Sequence, residues 1–200
     1  MIDNKRQLTG RGVNHHSLLK TLLTGGVVFS LTCCVPTEPA DKNRSGWKEE
    51  LQKALPLLGH RNWIVVTDMA YPLQAQPGIR TIYTGESYVD VLRYVYEEIG
   101  KAPHVKANVY QDKEFFYLDE EDVPGIMALR EEVDSLFQTQ VSAVAHEELI
   151  GRLDEVSRTF NVIVLKSKLA IPYTTTFFEL DCKYWNSWKE RVLQEKMNKS

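Results

Sequence analysis

Residues 55–72, LPLLGHRNWIVVTDMAYP, decide the fold of this chain. Trp63, Ile64, Val65 and Val66 are consecutive, bulky and mostly β-branched, which predicts a strand covered on both faces. Thr67 and Asp68 follow it, and Pro72 closes the turn. In an open α/β sheet ligand-binding residues collect where strands end, which singles out Asp68. A carboxylate at that position also caps its own loop, so both roles stand open.

Upstream, Ser45 is placed to cap a helix with Trp47, Leu51, Ala54, Leu55 and Leu58 on one face. Pro56 ends or kinks that helix, and Gly59 is a stop that positions His60. Downstream, GIRTIYT can form a short strand, and a second helix over residues 86–99 stops at Gly100. Residues 104–111 alternate as a strand, with His104 read as surface. Asp122 and Pro124 open a third helix. Residues 140–145 form a short strand ending at His146, where a fourth helix starts. Residues 161–165 and 175–180 are the last two strands. Tyr184 to Met197 reads as an amphipathic helix marked by Trp185, Trp188 and Val192. Strands alternating with helices predict a single α/β domain over residues 46–200, its largely parallel sheet flanked by helices. The last two strands, joined by a loop alone, are expected as an antiparallel edge pair.

The N-terminal segment has a different character. Lys5, Arg6, Arg11 and Lys20 precede an apolar run from Leu22 to Cys34. The run falls short of the roughly 20 residues a spanning helix needs. A basic start, a short apolar stretch and small residues at its end describe a signal peptide over residues 1–33. Leu31-Thr32-Cys33-Cys34 resembles a bacterial lipobox with Cys34 as the acylated residue. Cys33 stands where such a box has Gly, Ala or Ser, which leaves plain secretion or use of Cys33 open. Residues 34–45, polar and proline-bearing, then suit a tether. The expectation is an exported protein, periplasmic or held to a bacterial membrane by a lipid anchor only. After cleavage Cys182 is the sole other cysteine, so no internal disulfide is expected. The formal net charge of −3 makes no case for a nucleic-acid partner.

The sequence has no phosphate loop, dinucleotide glycine pattern, paired-cysteine zinc spacing or nucleophile elbow. What remains at strand ends and loops is His60 with Asp68, His146, and Tyr173. These residues carry a resemblance. Gly59-His60, with Asp68 eight residues beyond His60 and a Pro-containing loop after it, resembles the opening motif of the ribose pyranase and fucose mutarotase family. His146-Glu147 at a helix start is similar to the pyranase branch. Tyr173 matches the tyrosine of the family's Tyr-x-Asn, with Thr175 where asparagine is usual. The resemblance covers roughly residues 47 to 180.

It implies a monosaccharide ligand and exchange of sugar ring forms or anomers, with no metal or organic cofactor. His60 would be the general acid/base, as a group with a pKa near neutrality can give and take protons. Asp68 would accept sugar hydroxyls or orient the imidazole, and His146 would bind sugar or supply a second proton path. Tyr173, Thr174 and Thr175 would fix the ring. A non-catalytic sugar-binding accessory of an uptake system is the alternative. If residues 60–68 were fully extended, His60 and Asp68 would lie roughly 25 Å apart. Either the chain folds back around Arg61-Asn62 or a neighbouring subunit completes the site. Family members form rings with sites near subunit contacts, so a homo-oligomer is expected. Mass spectrometry of the mature N-terminus should find acylated Cys34; an unmodified terminus would mark plain secretion.

Overall fold

The central strand forms where the apolar run placed it. The computed structural model describes residues 43–137 and 141–199. The signal segment, Cys34 and tether residues 34–42 lie outside them, and residues 43–45 open the first helix. Strand β1 (Trp63–Thr67) is buried at every residue. Its side chains alternate between two cores, as a period of two requires. Ile64 and Val66 join one cluster, and Trp63 and Val65 the other.

The remaining strands are β2 (Ile79–Tyr83), β3 (Val105–Asp112), β4 (Val141–Val144), β5 (Val162–Lys166) and β6 (Thr176–Cys182). The helices are α1 (Asn43–Ala54), α2 (Tyr88–Lys101), α3 (Ile126–Leu136), α4 (His146–Val156) and α5 (Ser187–Met197). Trp47 and Leu51 of α1, Leu92 and Val95 of α2, and Ile126 and Val133 of α3 pack in the core that holds Ile64. Leu149 and Leu153 of α4 pack with Trp63 on the other face. This is the predicted α/β domain with helices flanking a mostly parallel sheet.

The six strands lie in the order β2-β5-β1-β6-β3-β4. Pairs β2·β5, β1·β5 and β3·β4 are parallel, whereas β6 runs antiparallel to both β1 and β3. The antiparallel strand is therefore central, and the expected edge pair of the last two strands does not form. Strand β1 occupies the slot between β5 and β6, and its apolar run from Trp63 to Val66 demands cover on both faces.

Smaller differences have local causes. Helix α1 starts at Asn43, so Ser45 lies inside it, and Pro56 falls in a 3-10 turn, Leu55–Leu57. Gly100 stays within α2, which ends before Pro103. His104 is not simply surface. Its Nε2 lies 3.2 Å from the Leu55 carbonyl, which also accepts the Leu58 N–H, and 3.0 Å from the Leu58 carbonyl just past the 3-10 turn. Helix α5 buries no residue, and Trp188 is 61% exposed.

Gly78 leads into β2 where the chain crosses the end of α4. A Cβ there would run into the carbonyl oxygens of Ser157 and Phe160. Gly78→Ala should therefore destabilise the domain by about 2–3 kcal/mol, with the denaturant slope unchanged in urea unfolding.

Candidate functional site

Five strands end at one edge of the sheet, and because β6 is reversed its start lies there too. Asp112, the last residue of β3, is fully buried. Its Oδ1 lies 3.0 Å from His146 Nδ1, and its Oδ2 accepts the Thr175 backbone N–H at 3.1 Å. A carboxylate only accepts, so the proton between it and the ring belongs to Nδ1. His146 Nε2 makes no hydrogen bond among the described residues. The His146 backbone N–H donates to Glu114, 3.0 Å from Oε2, which caps α4 from outside the helix. One buried carboxylate thus ties together the end of β3, the approach to β6 and the start of α4.

Tyr173 stands beside this pair. Its ring meets that of His146 edge-on, with centroids 5.6 Å apart. Its backbone is left-handed, φ 54°, a strained state for a residue with a side chain. The ring lines a cavity of about 360 Å³ with Lys113, Glu114, Tyr117 and Leu118. Thr174 and Thr175 are fully buried. The Thr174 hydroxyl donates to the Ile171 carbonyl at 3.0 Å, and that of Thr175 meets the Thr67 hydroxyl at 2.9 Å. Both hydroxyls are engaged within the protein.

Asp68 follows β1 at the same edge and is buried. Its Oδ1 accepts the Ala70 N–H at 2.6 Å, so it caps its own loop. Nearby, the phenol of Tyr71 is pushed well above its ordinary range, first by burial and then by the charges of Asp112, Asp154 and Asp68. Asp68 and Asp112 thus act electrostatically on one buried phenol.

His60 is elsewhere. The chain does turn around Arg61-Asn62: Asn62 N–H donates to the Gly59 carbonyl at 3.1 Å, Asn62 Oδ1 accepts the Gly59 N–H at 2.8 Å, and Arg61 has φ 73°. This turn brings His60 to Asp181 at the far end of β6, not back to Asp68. His60 Nδ1 lies 2.9 Å from Asp181 Oδ1, and the imidazole is 64% exposed. Strand β1 pairs along β6 from Trp63↔Glu179 to Val66↔Thr176, so His60 and Asp68 sit at opposite ends of it. The span from Asp181 to Thr175 is roughly 20 Å at strand rise. Within one chain the structure places His146, Tyr173, Thr175 and Asp68 at one edge of the sheet, and holds His60 apart.

Asp112 is the candidate site residue that sequence reasoning missed. The predicted strand stopped at Gln111, yet Asp112 ends β3 as Asp68 follows β1, and that parallel was the available signal. Burial pushes the Asp112 carboxyl up, against the opposing His146 and Thr175 hydrogen bonds. The hydrogen bond to Asp112 raises His146 in turn, outweighing partial burial. The arrangement is an imidazole fixed at one nitrogen, with the other available for proton transfer. Among the described residues no three His, Cys, Asp or Glu side chains converge as metal ligands.

No protein-family model and no curated protein matches the chain. Among solved structures, Bacillus subtilis RbsD complexed with D-ribose is 18% identical, with a TM-score of 0.47, covering 66% of this chain and 91% of that one. The fucose mutarotase of Streptococcus pneumoniae, in complex with L-fucose, is 19% identical, with a TM-score of 0.47, covering 70% of this chain and 94% of that one. The chemistry below rests on this chain's own residues.

His146 binds its proton more tightly folded than unfolded. Its contribution to stability is fully present below about 6.5, the ordinary value, and is lost as pH rises through the folded value. Asp112→Asn removes the main cause. The NMR titration midpoint of His146 should fall, and the loss of stability with rising pH above about 6.5 should flatten. An unchanged midpoint would show that Asp112 does not hold the proton.

Proposed function

We propose that the chain is a monosaccharide-binding isomerase that exchanges ring forms or anomers of an aldose by acid/base opening of the hemiacetal. The observation that carries this reading is His146 Nδ1 clamped by the buried Asp112 carboxylate, which commits Nε2 to proton transfer beside Tyr173. Opening needs two transfers. One imidazolium gives its proton to the ring oxygen as the bond from that oxygen to the anomeric carbon breaks. A neutral base takes the proton of the anomeric hydroxyl, leaving the open-chain aldehyde. Reclosure after rotation about the bond to the next carbon yields the other anomer, and closure through a different hydroxyl yields the other ring size. Either closure returns both protons.

In this reading His146 and His60 are the two carriers, each beside a carboxylate. Since one subunit holds them at opposite edges, the reading includes a homo-oligomer in which the His60 edge of one copy meets the carboxyl edge of the next. Asp68 and Tyr173 then hold the sugar, with the buried Thr174 and Thr175 positioning Tyr173 from behind. Export and lipid anchoring, read from residues 1–34, complete the proposal.

A non-catalytic sugar-binding accessory is the second reading. It is favoured by Asp68, whose Oδ1 is engaged in its own loop. Saturation-transfer NMR of exchange between sugar forms separates the two. His146→Asn should slow exchange by about 100-fold or more, the usual contribution of a general acid/base, while sugar binding survives. His60→Ala should slow exchange to the same degree. Exchange at the wild-type rate in either variant would remove that residue from the mechanism, and binding without exchange in the wild type would favour the accessory.

A further inference from the structure

The largest groove described beside a candidate histidine lies at the edge away from Asp112. There the chain leaves β6 and passes through Tyr184, Trp185 and Asn186 into α5. With the turn that carries His60, this segment encloses a groove of about 590 Å³, whose lining includes His60, Asp181, Tyr184, Trp185, Asn186 and Glu190. The resemblance that singles out His60 stops near residue 180, so the aromatic wall lies beyond it.

That wall is fixed in place. Trp185 Nε1 donates to Glu190 Oε2 at 2.8 Å, and Asn186 Oδ1 accepts the Lys189 N–H at 2.9 Å, capping α5. Lys189 Nζ donates to the Tyr184 carbonyl at 2.9 Å and lies 5.9 Å from the Trp185 ring centroid. The indole, 40% exposed, is thus held as an open aromatic surface on a segment with no apolar anchor in the domain. His60 is also held. Its Nδ1 faces Asp181, which Lys106 braces at 3.3 Å, and its Nε2 makes no hydrogen bond among the described residues. A restrained aromatic plane beside an imidazole and two carboxylates suits a ligand with one apolar C–H face and a rim of hydroxyl donors. An anionic ligand would meet Asp181 and Glu190.

We propose that this groove is a saccharide subsite in which Trp185 is the stacking platform and His60 Nε2 meets the sugar's hydroxyls. The proposal rests on the monosaccharide reading above and assigns a part of the chain that reading leaves idle. Its test is titration of the full chain with D-ribose, L-fucose, D-glucose and D-galactose, followed by saturation-transfer difference NMR, which reads binding whether or not exchange occurs. Trp185→Ala should weaken binding by roughly ten-fold, the upper range for an aromatic contact, and Trp185→Phe should restore most of it. The unfolding midpoint should move little, as Trp185 is exposed and precedes a helix that buries no residue. Sugar should also slow alkylation of Cys182, which lines the same groove, in the wild type but not in Trp185→Ala. Wild-type affinity in Trp185→Ala would overturn the platform and leave the sugar reading intact, as would a loss that Trp185→Phe fails to repair. A wild-type chain that binds none of the four sugars would overturn both.

Discussion

Both histidine pairs depend on one strand running against five. Strand β6 pairs with β3 over Gln111↔Thr176 to Val105↔Cys182, and with β1 over Val66↔Thr176 to Trp63↔Glu179. It is the hydrogen-bonded link between the β2-β5-β1 block and the β3-β4 block. Because it is reversed, its start approaches Asp112 and its end delivers Asp181 to His60. A slip of one residue would exchange the faces of Phe177 and Phe178, which sit in opposite cores, so packing holds this register strongly. The same register sets Thr175 within reach of Asp112. Core packing and site geometry are therefore one constraint.

The two pairs differ in burial, and burial sets their chemistry. Asp112 is sealed from water, so desolvation raises it and its bond to His146 acts through protein rather than solvent. At Asp181 the balance reverses. Burial would raise that carboxyl, but the Cys182 N–H, Lys106 and His60 pull it below its usual range. That pair is wet, and solvent screening keeps its energetic worth small. His146 is held in one orientation by a buried partner and a packed helix, whereas His60 sits on a pinned turn with its imidazole in solvent. The first is built for orientation and the second for access.

The fold was largely legible because its signals are local. The run from Trp63 to Val66 can satisfy its apolar side chains only as a strand covered on both faces. The His146 helix start likewise follows from a pattern a few residues long. The position of β6 was not legible, since a loop between two strands leaves their pairing open and β1 claimed the slot between them. Apolar spacing in α5 described a face without showing whether the domain had anything to cover it. At the site, His146 opens α4 and Tyr173 lies in the loop before β6, the strand-end or loop setting in which the sequence placed them. Asp112 escaped because an aspartate becomes distinctive only when the fold buries it, and burial here comes from β6 and α4, remote in sequence.

The opposite ends of β1 bear most directly on mechanism. Ring opening moves two protons at atoms bonded to one carbon, so the groups that move them must converge on one sugar. A carrier roughly 20 Å away along a strand cannot take part within the same subunit. In the proposed reading, a single chain then has one half-buried histidine at its carboxyl edge, and the second transfer falls to water or to another copy. Tyr173, with its left-handed backbone and edge-on contact with His146, stands beside that histidine. A neighbouring copy would instead bring a histidine already paired with a carboxylate. In the proposed reading the two imidazoles, one held by a buried carboxylate and one exposed to solvent beside Asp181, would supply the acid and the base that opening a hemiacetal needs.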